Sequence, residues 1–129
     1  PVGVLTCPII PGLTDHEIPA LLAAARDAGA RFAGYTLLHL PHGLGELFEA
    51  WLERHLPERR ARVMARVREV RQGRLNDPRF GYRMTGVGPY AESIAALHRL
   101  ARRRTGLEGS GRGLSSAHFR VPGRATQPG

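Results

Sequence analysis

The sequence predicts an α/β protein, with a strand–helix–strand unit first and a run of helices after it. Three observations carry this. A short apolar run, Val2 to Cys7, meets the turn-forming stretch Pro8-Ile9-Ile10-Pro11-Gly12-Leu13-Thr14-Asp15, after which apolar residues recur at helical spacing. A second apolar run, residues 30–40, follows closely enough for one right-handed parallel βαβ crossover. No third strand-like run comes later, and the apolar positions after residue 43 keep a helical period.

The first run suits a strand buried on both faces, as in a parallel sheet, with Cys7 as a small buried side chain. Two prolines and a glycine then end the strand and allow a sharp turn. Thr14 and Glu17 form a capping-box pattern, which predicts a helix from Asp15 to Ala28 with Ile18, Leu21, Leu22 and Ala25 inward. Pro19 lies near its first turn and Gly29 supplies its stop. Residues 30–40 make the second strand. Two parallel strands do not form a stable sheet by themselves, so the sheet is expected to be completed by other strands.

The rest is helical. Leu44, Leu47, Phe48, Trp51, Leu52 and Leu56 form a stripe, with Phe48 and Trp51 expected in the core. Pro57 introduces a further helix over about residues 58–72, with Val63, Val67 and Val70 inward, Arg59, Arg62 and Arg66 outward, and Gly73 as its stop. Asn76-Asp77-Pro78 signals a turn. A last helix, residues 89–105, carries Tyr90, Ile94, Leu97 and Leu100 inward and ends at Gly106. From Glu108 onward Gly, Ser and Pro dominate, which predicts a disordered tail.

The net charge is +8 and every basic residue other than histidine is arginine. This balance suits a nucleic-acid or other polyanionic partner, although arginine also serves ordinary solvated helix faces. The single cysteine excludes an internal disulfide and is compatible with a cytoplasmic location. No apolar run approaches the ~18 residues of a membrane span, and no signal peptide is recognisable. The Pro8–Asp15 loop lacks a G-x-G-x-x-G fingerprint, and a Walker lysine and an H-E-x-x-H pair are missing from the sequence. The start at Pro1, with a strand two residues later, predicts a cut through a larger fold.

Three stretches are candidates for function. The Pro8–Asp15 loop sits where parallel sheets place ligands, and it serves equally as a rigid turn. His39 and His42 with Glu46 have metal-like spacing, but no second ligand cluster accompanies them, and a polar strand end is the favoured reading. Arg79 and Arg83 alternate with Phe80 and Tyr82, which suits phosphate contact and base stacking, or the lashing of a loop to its own domain.

Three blocks also carry a resemblance. PIIPGLTDHEIPALLAAARDAGA (residues 8–30), GYTLLHLPH before LFEAWLERHLP (34–42 and 47–57), and DPRFGYRMTGVGPYA (77–91) together resemble the C-terminal part of radical SAM proteins of the spore photoproduct lyase-like group. The resemblance spans about residues 2–107. It implies the end of a partial (β/α)6 TIM-type barrel: its last strands and helix in residues 1–43, a helical C-terminal extension in 44–107, and the disordered tail in 108–129. It implies S-adenosylmethionine and a 4Fe–4S cluster as cofactors of the complete protein. Pro8, Ile9, Ile10 and Pro11 would then lie near the adenine of that cofactor, and Leu38, His39, Leu40, Arg79 and Arg83 on the substrate side. The cluster loop C-x-x-x-C-x-x-C is missing from this sequence, so the chain alone is expected to hold neither cofactor and to be inactive. Its implied partner is the missing N-terminal barrel portion, with nucleic acid as a further possible partner. The alternative is a stand-alone Arg-rich nucleic-acid-binding module without catalysis.

Overall fold

In the computed structural model, residues 1–72, 82–109, 113 and 115–122 are described, Tyr82 and Arg83 through their backbone. The expected turn at residues 76–78 and the stop at Gly73 lie outside these residues, as does part of the tail. Strand β1 (Gly3–Ile9) pairs in parallel with β2 (Phe32–Leu37), joined by a 3-10 turn (Asp15–Glu17) and helix α1 (Ile18–Asp27). Helices α2 (Leu44–His55), α3 (Arg60–Glu69), α4 (Tyr82–Thr85) and α5 (Pro89–Thr105) follow. The architecture is therefore α/β with a small two-stranded parallel sheet.

The register runs Gly3–Phe32 to Thr6–Tyr35 and resumes at Ile9–Leu37. The irregularity falls at Cys7-Pro8, a cis peptide bond, where Pro8 has no N–H to give to the ladder. Helices α1 and α5 pack against each other and against one face of the sheet. Val4, Ala33, Tyr35, Ile9 and Leu37 meet Ile18 and Leu22 of α1 and Ala91, Ile94 and Ala101 of α5 there. Among the described residues no helix covers the other face. On it the Phe32 ring fills the place a Cβ would take at Gly3, and Leu5 lies over Gly34. Leu5 is 67% exposed and Cys7 is exposed too. The expectation of a strand buried on both faces, with Cys7 inside it, is thus corrected: two strands give α1 and α5 only one face to cover.

The first helix also starts later than its capping pattern predicts. The Thr14 hydroxyl accepts from the Ile10 amide at 2.8 Å and makes no cap to the helix. Thr14 itself has helical dihedrals, so residues 15–17 form a 3-10 turn and the α-helix begins at Ile18 with Pro19 in its first turn.

A second core lies beyond the carboxyl ends of the strands. Leu40, Leu52, Val63, Met64 and Val67 are buried there, with Ile10, Leu13, Leu38, Phe48 and Leu56 packed around them. Val63, Val67 and Val70 are inward, as their spacing predicts. Arg60 of α3 reaches Glu49 and Glu53 of α2, an exposed network that adds ~1 kcal/mol or less per pair. The stripe of α2 is only partly used: Leu47 is 68% and Trp51 45% exposed, because α3 covers the side bearing Leu52. Trp51 instead stacks with Phe48 and lies tilted against His55 on the surface, which corrects its placement in the core.

Helix α5 has the bounds its Pro and Gly signals predict, with Gly106 left-handed at its end. The Leu107 amide donates to Arg102 O at 2.9 Å, and the Leu107 side chain is buried. Glu108 then bridges Phe32 in antiparallel fashion, so the packed part reaches just into the segment expected as a tail. Leu100 is exposed and His98 takes the inward position instead.

Candidate functional site

The Pro8–Asp15 loop turns on itself at the carboxyl end of β1. The amides of Leu13 and Thr14 both donate to Ile10 O. Gly12 adopts φ +81 and approaches α3 so closely that a Cβ would stand 3.2 Å from Arg66 Cγ. The four residues assigned to the adenine side are divided by this turn. Pro8 is exposed at the edge of β1, Ile9 is buried in the first core, Pro11 is buried, and Ile10 packs against the second core. Of the substrate-side set, Leu40 is buried and Leu38 half-buried in that same second core, and His39 is half-buried beside them. The structure therefore gathers Ile10, Leu38 and Leu40 and separates them from Pro8. Arg83 belongs to the short helix α4, and Arg79 lies outside the described residues.

The strand end is held by a residue that periodicity alone did not single out. Arg71 is 1% exposed, and its Nη2 donates to Leu37 O at 3.0 Å and to Leu38 O at 3.3 Å. It continues the buried stripe of Val63, Val67 and Val70, so its phase was the available signal. A planar guanidinium satisfies several carbonyls at once, which fixes the end of β2 against the end of α3.

Two surface cavities flank the loop. One, of about 340 Å³, runs along the uncovered edge of β1 and is lined by Val4 to Ile9 with Thr14, Glu17 and Leu21. The other, also about 340 Å³, opens between the loop, α3 and α5, and is walled by Gly12, Leu13, Asp15, His16, Arg59, Arg62 and Tyr90. In it the Tyr90 hydroxyl donates to Asp15 Oδ2. The Arg66 guanidinium lies 4.4 Å from the Tyr90 ring centre and pairs with Glu69 at 2.8 Å. Burial, and then the bond to Asp15, push the Tyr90 pKa above its usual value, so this hydroxyl stays protonated as a donor. Neither Arg59 nor Arg62 has an ion-pair partner among the described residues.

A third feature lies under α5. His98 is 3% exposed, its ring centre sits 4.5 Å from that of Tyr35, and its Nε2 has no hydrogen-bond partner among the described residues. Burial, followed by the charge of Arg102, lowers its pKa, with a backbone contact at Gly34 acting the other way.

No group of three or more His, Cys, Asp or Glu side chains converges among the described residues. An iron–sulfur cluster is held by several cysteine thiolates, and Cys7 is the one cysteine of the sequence, so these residues do not fit such a cluster. No described helix is long and apolar enough to cross a membrane. Comparison with protein-family models, curated proteins and solved structures finds no match to this chain.

Proposed function

We propose that the chain forms the last two strands and the helical extension of a partial (β/α)6 barrel, within a radical SAM enzyme of the spore photoproduct lyase-like group. The observation that supports this reading is the one-sided sheet. Both helices lie on one face, while Gly3, Leu5, Phe32 and Gly34 stand on the other, which the described residues leave open, beside an apolar edge of β1 that no described strand pairs. In a barrel the helices lie outside and such a face turns inward, and the free edge receives the preceding strand. On this reading the 4Fe–4S cluster and most contacts to S-adenosylmethionine belong to the missing N-terminal barrel portion, and radical chemistry arises only in the complete, cytoplasmic protein. Pro8 is the member of the adenine-side set exposed to a cofactor, with Ile9 and Pro11 packed behind it. Leu38, His39 and Leu40 contribute the wall at the end of β2.

The test is anaerobic isolation of the native gene product, with iron, acid-labile sulfide and reductive release of 5′-deoxyadenosine from S-adenosylmethionine measured together. Cys7 labelling in the same preparation adds a structural readout. A protected thiol with iron and nucleoside release supports the reading. An iron-free product whose Cys7 reacts as fast as in unfolded chain overturns it.

A second reading, a nucleic-acid-binding module, is supported by the exposed arginines of α3 and α5, including Arg62, Arg68, Arg99, Arg103 and Arg104. It requires affinity for oligonucleotides that falls steeply with salt. A flat salt response removes it.

A further inference from the structure

The cavity between the Pro8–Asp15 loop, α3 and α5 gathers two arginines and a histidine. Arg59 and Arg62 are three residues apart at the start of α3 and so stand on the same side of it. Both guanidiniums are without a carboxylate partner among the described residues, whereas Arg66 next to them is committed to Glu69 and to the Tyr90 ring. His16 adds a third nitrogen-bearing side chain to the lining. The one carboxylate of the cavity, Asp15, has Oδ2 engaged by the Tyr90 hydroxyl and Oδ1 left as an acceptor.

We infer that this cavity binds an organic phosphate of nucleotide size. The phosphate would lie between Arg59, Arg62 and His16, and a sugar hydroxyl would donate to Asp15. A single guanidinium fork serves a carboxylate, but two forks and an imidazole match the several acceptor oxygens of a tetrahedral phosphate. The volume, about 340 Å³, exceeds what a bare phosphate fills and falls at the lower end of small-molecule sites, roughly 300–1,000 Å³. The Tyr90 hydroxyl occupies one oxygen of Asp15, and Asp15 makes no ion pair with Arg59 or Arg62 among the described residues.

The test titrates the 129-residue chain with inorganic phosphate, adenosine monophosphate and a short oligothymidylate, each followed by amide chemical shifts. The wild type is expected to bind phosphate and the mononucleotide saturably in the millimolar range or below. Joint substitution of Arg59→Ala and Arg62→Ala should weaken both by about tenfold or more, since charge-assisted bonds are lost. Arg31→Ala with Arg54→Ala removes the same charge elsewhere and should change either by less than about twofold. Oligothymidylate displacing the mononucleotide from the same amides would assign the phosphate to a nucleic acid; failure to displace it would assign a free nucleotide. Equal losses in the two double variants, or no saturable binding of either small phosphate, overturn the proposal. Circular dichroism of both variants verifies that folding is retained, as all four side chains are exposed.

Discussion

Gly86 offers the sharpest test of the packing between α3, β2 and α5. It adopts φ +69, and a Cβ added there would lie 2.8 Å from Val70 O and 3.2 Å from both Val70 Cβ and Leu37 Cδ1. None of these can yield easily. Val70 and Leu37 are fully buried, and Val70 O accepts the Val87 amide at 2.9 Å, the bond that docks the α4–α5 connection on the end of α3. Gly86→Ala therefore carries two costs. Placing a Cβ in the left-handed region costs about 1–2 kcal/mol, and overpacking a rigid contact adds about 1–3 kcal/mol, so the sum is about 2–5 kcal/mol. Gly106 separates the two. Its φ is +71, almost the same, but no described atom lies within 4 Å of its Cβ position. Gly106→Ala should cost only the conformational part, about 1–2 kcal/mol. Urea unfolding followed by circular dichroism reads both as midpoint shifts at unchanged slope. If Gly86→Ala proves no more destabilising than Gly106→Ala, the close approach of Gly86 to Val70 is wrong.

Two further predictions concern buried polar groups. Arg71→Met should destabilise the chain by about 2–4 kcal/mol, because Leu37 O and Leu38 O lose donors in a site without solvent; Arg71→Lys, which keeps the charge but not the fork, should fall between it and wild type. A loss below about 0.5 kcal/mol for the methionine variant would mean that the guanidinium does not hold the strand end. For His98 the folded-state pKa is lowered by burial, so the unfolded chain binds the proton more readily than the folded one. Stability should be complete above the unfolded value of about 6.5 and decline as pH falls through it toward the folded value. His98→Phe should flatten that decline, and parallel stability-against-pH curves for the two proteins would refute the assignment.

Much of the secondary structure was legible in the sequence because it depends on neighbours a few residues away. Helix α5 ends where Gly106 allows a left-handed turn, and Val63, Val67 and Val70 share one face of α3, both consequences of local geometry. The same is true of the strand–helix–strand order and of the shortage of strands to complete a sheet. What the sequence left undecided were choices between competing partners. The Thr14 hydroxyl could cap a helix or accept from Ile10, and the tight loop against α3 selects the second. Leu5 and Cys7 read as apolar and small whether or not anything covers them, and only the position of α1 and α5 leaves their face open. Trp51 belongs to a stripe wider than α3 can cover. The cavity between the loop, α3 and α5 was the least legible, since Asp15, the Arg59–Arg62 pair and Tyr90 are far apart along the chain and each has an ordinary local role. Composition and period determine which residues seek burial or solvent; the packing of α3 and α5 on the loop decides which charges meet and which stay unpaired.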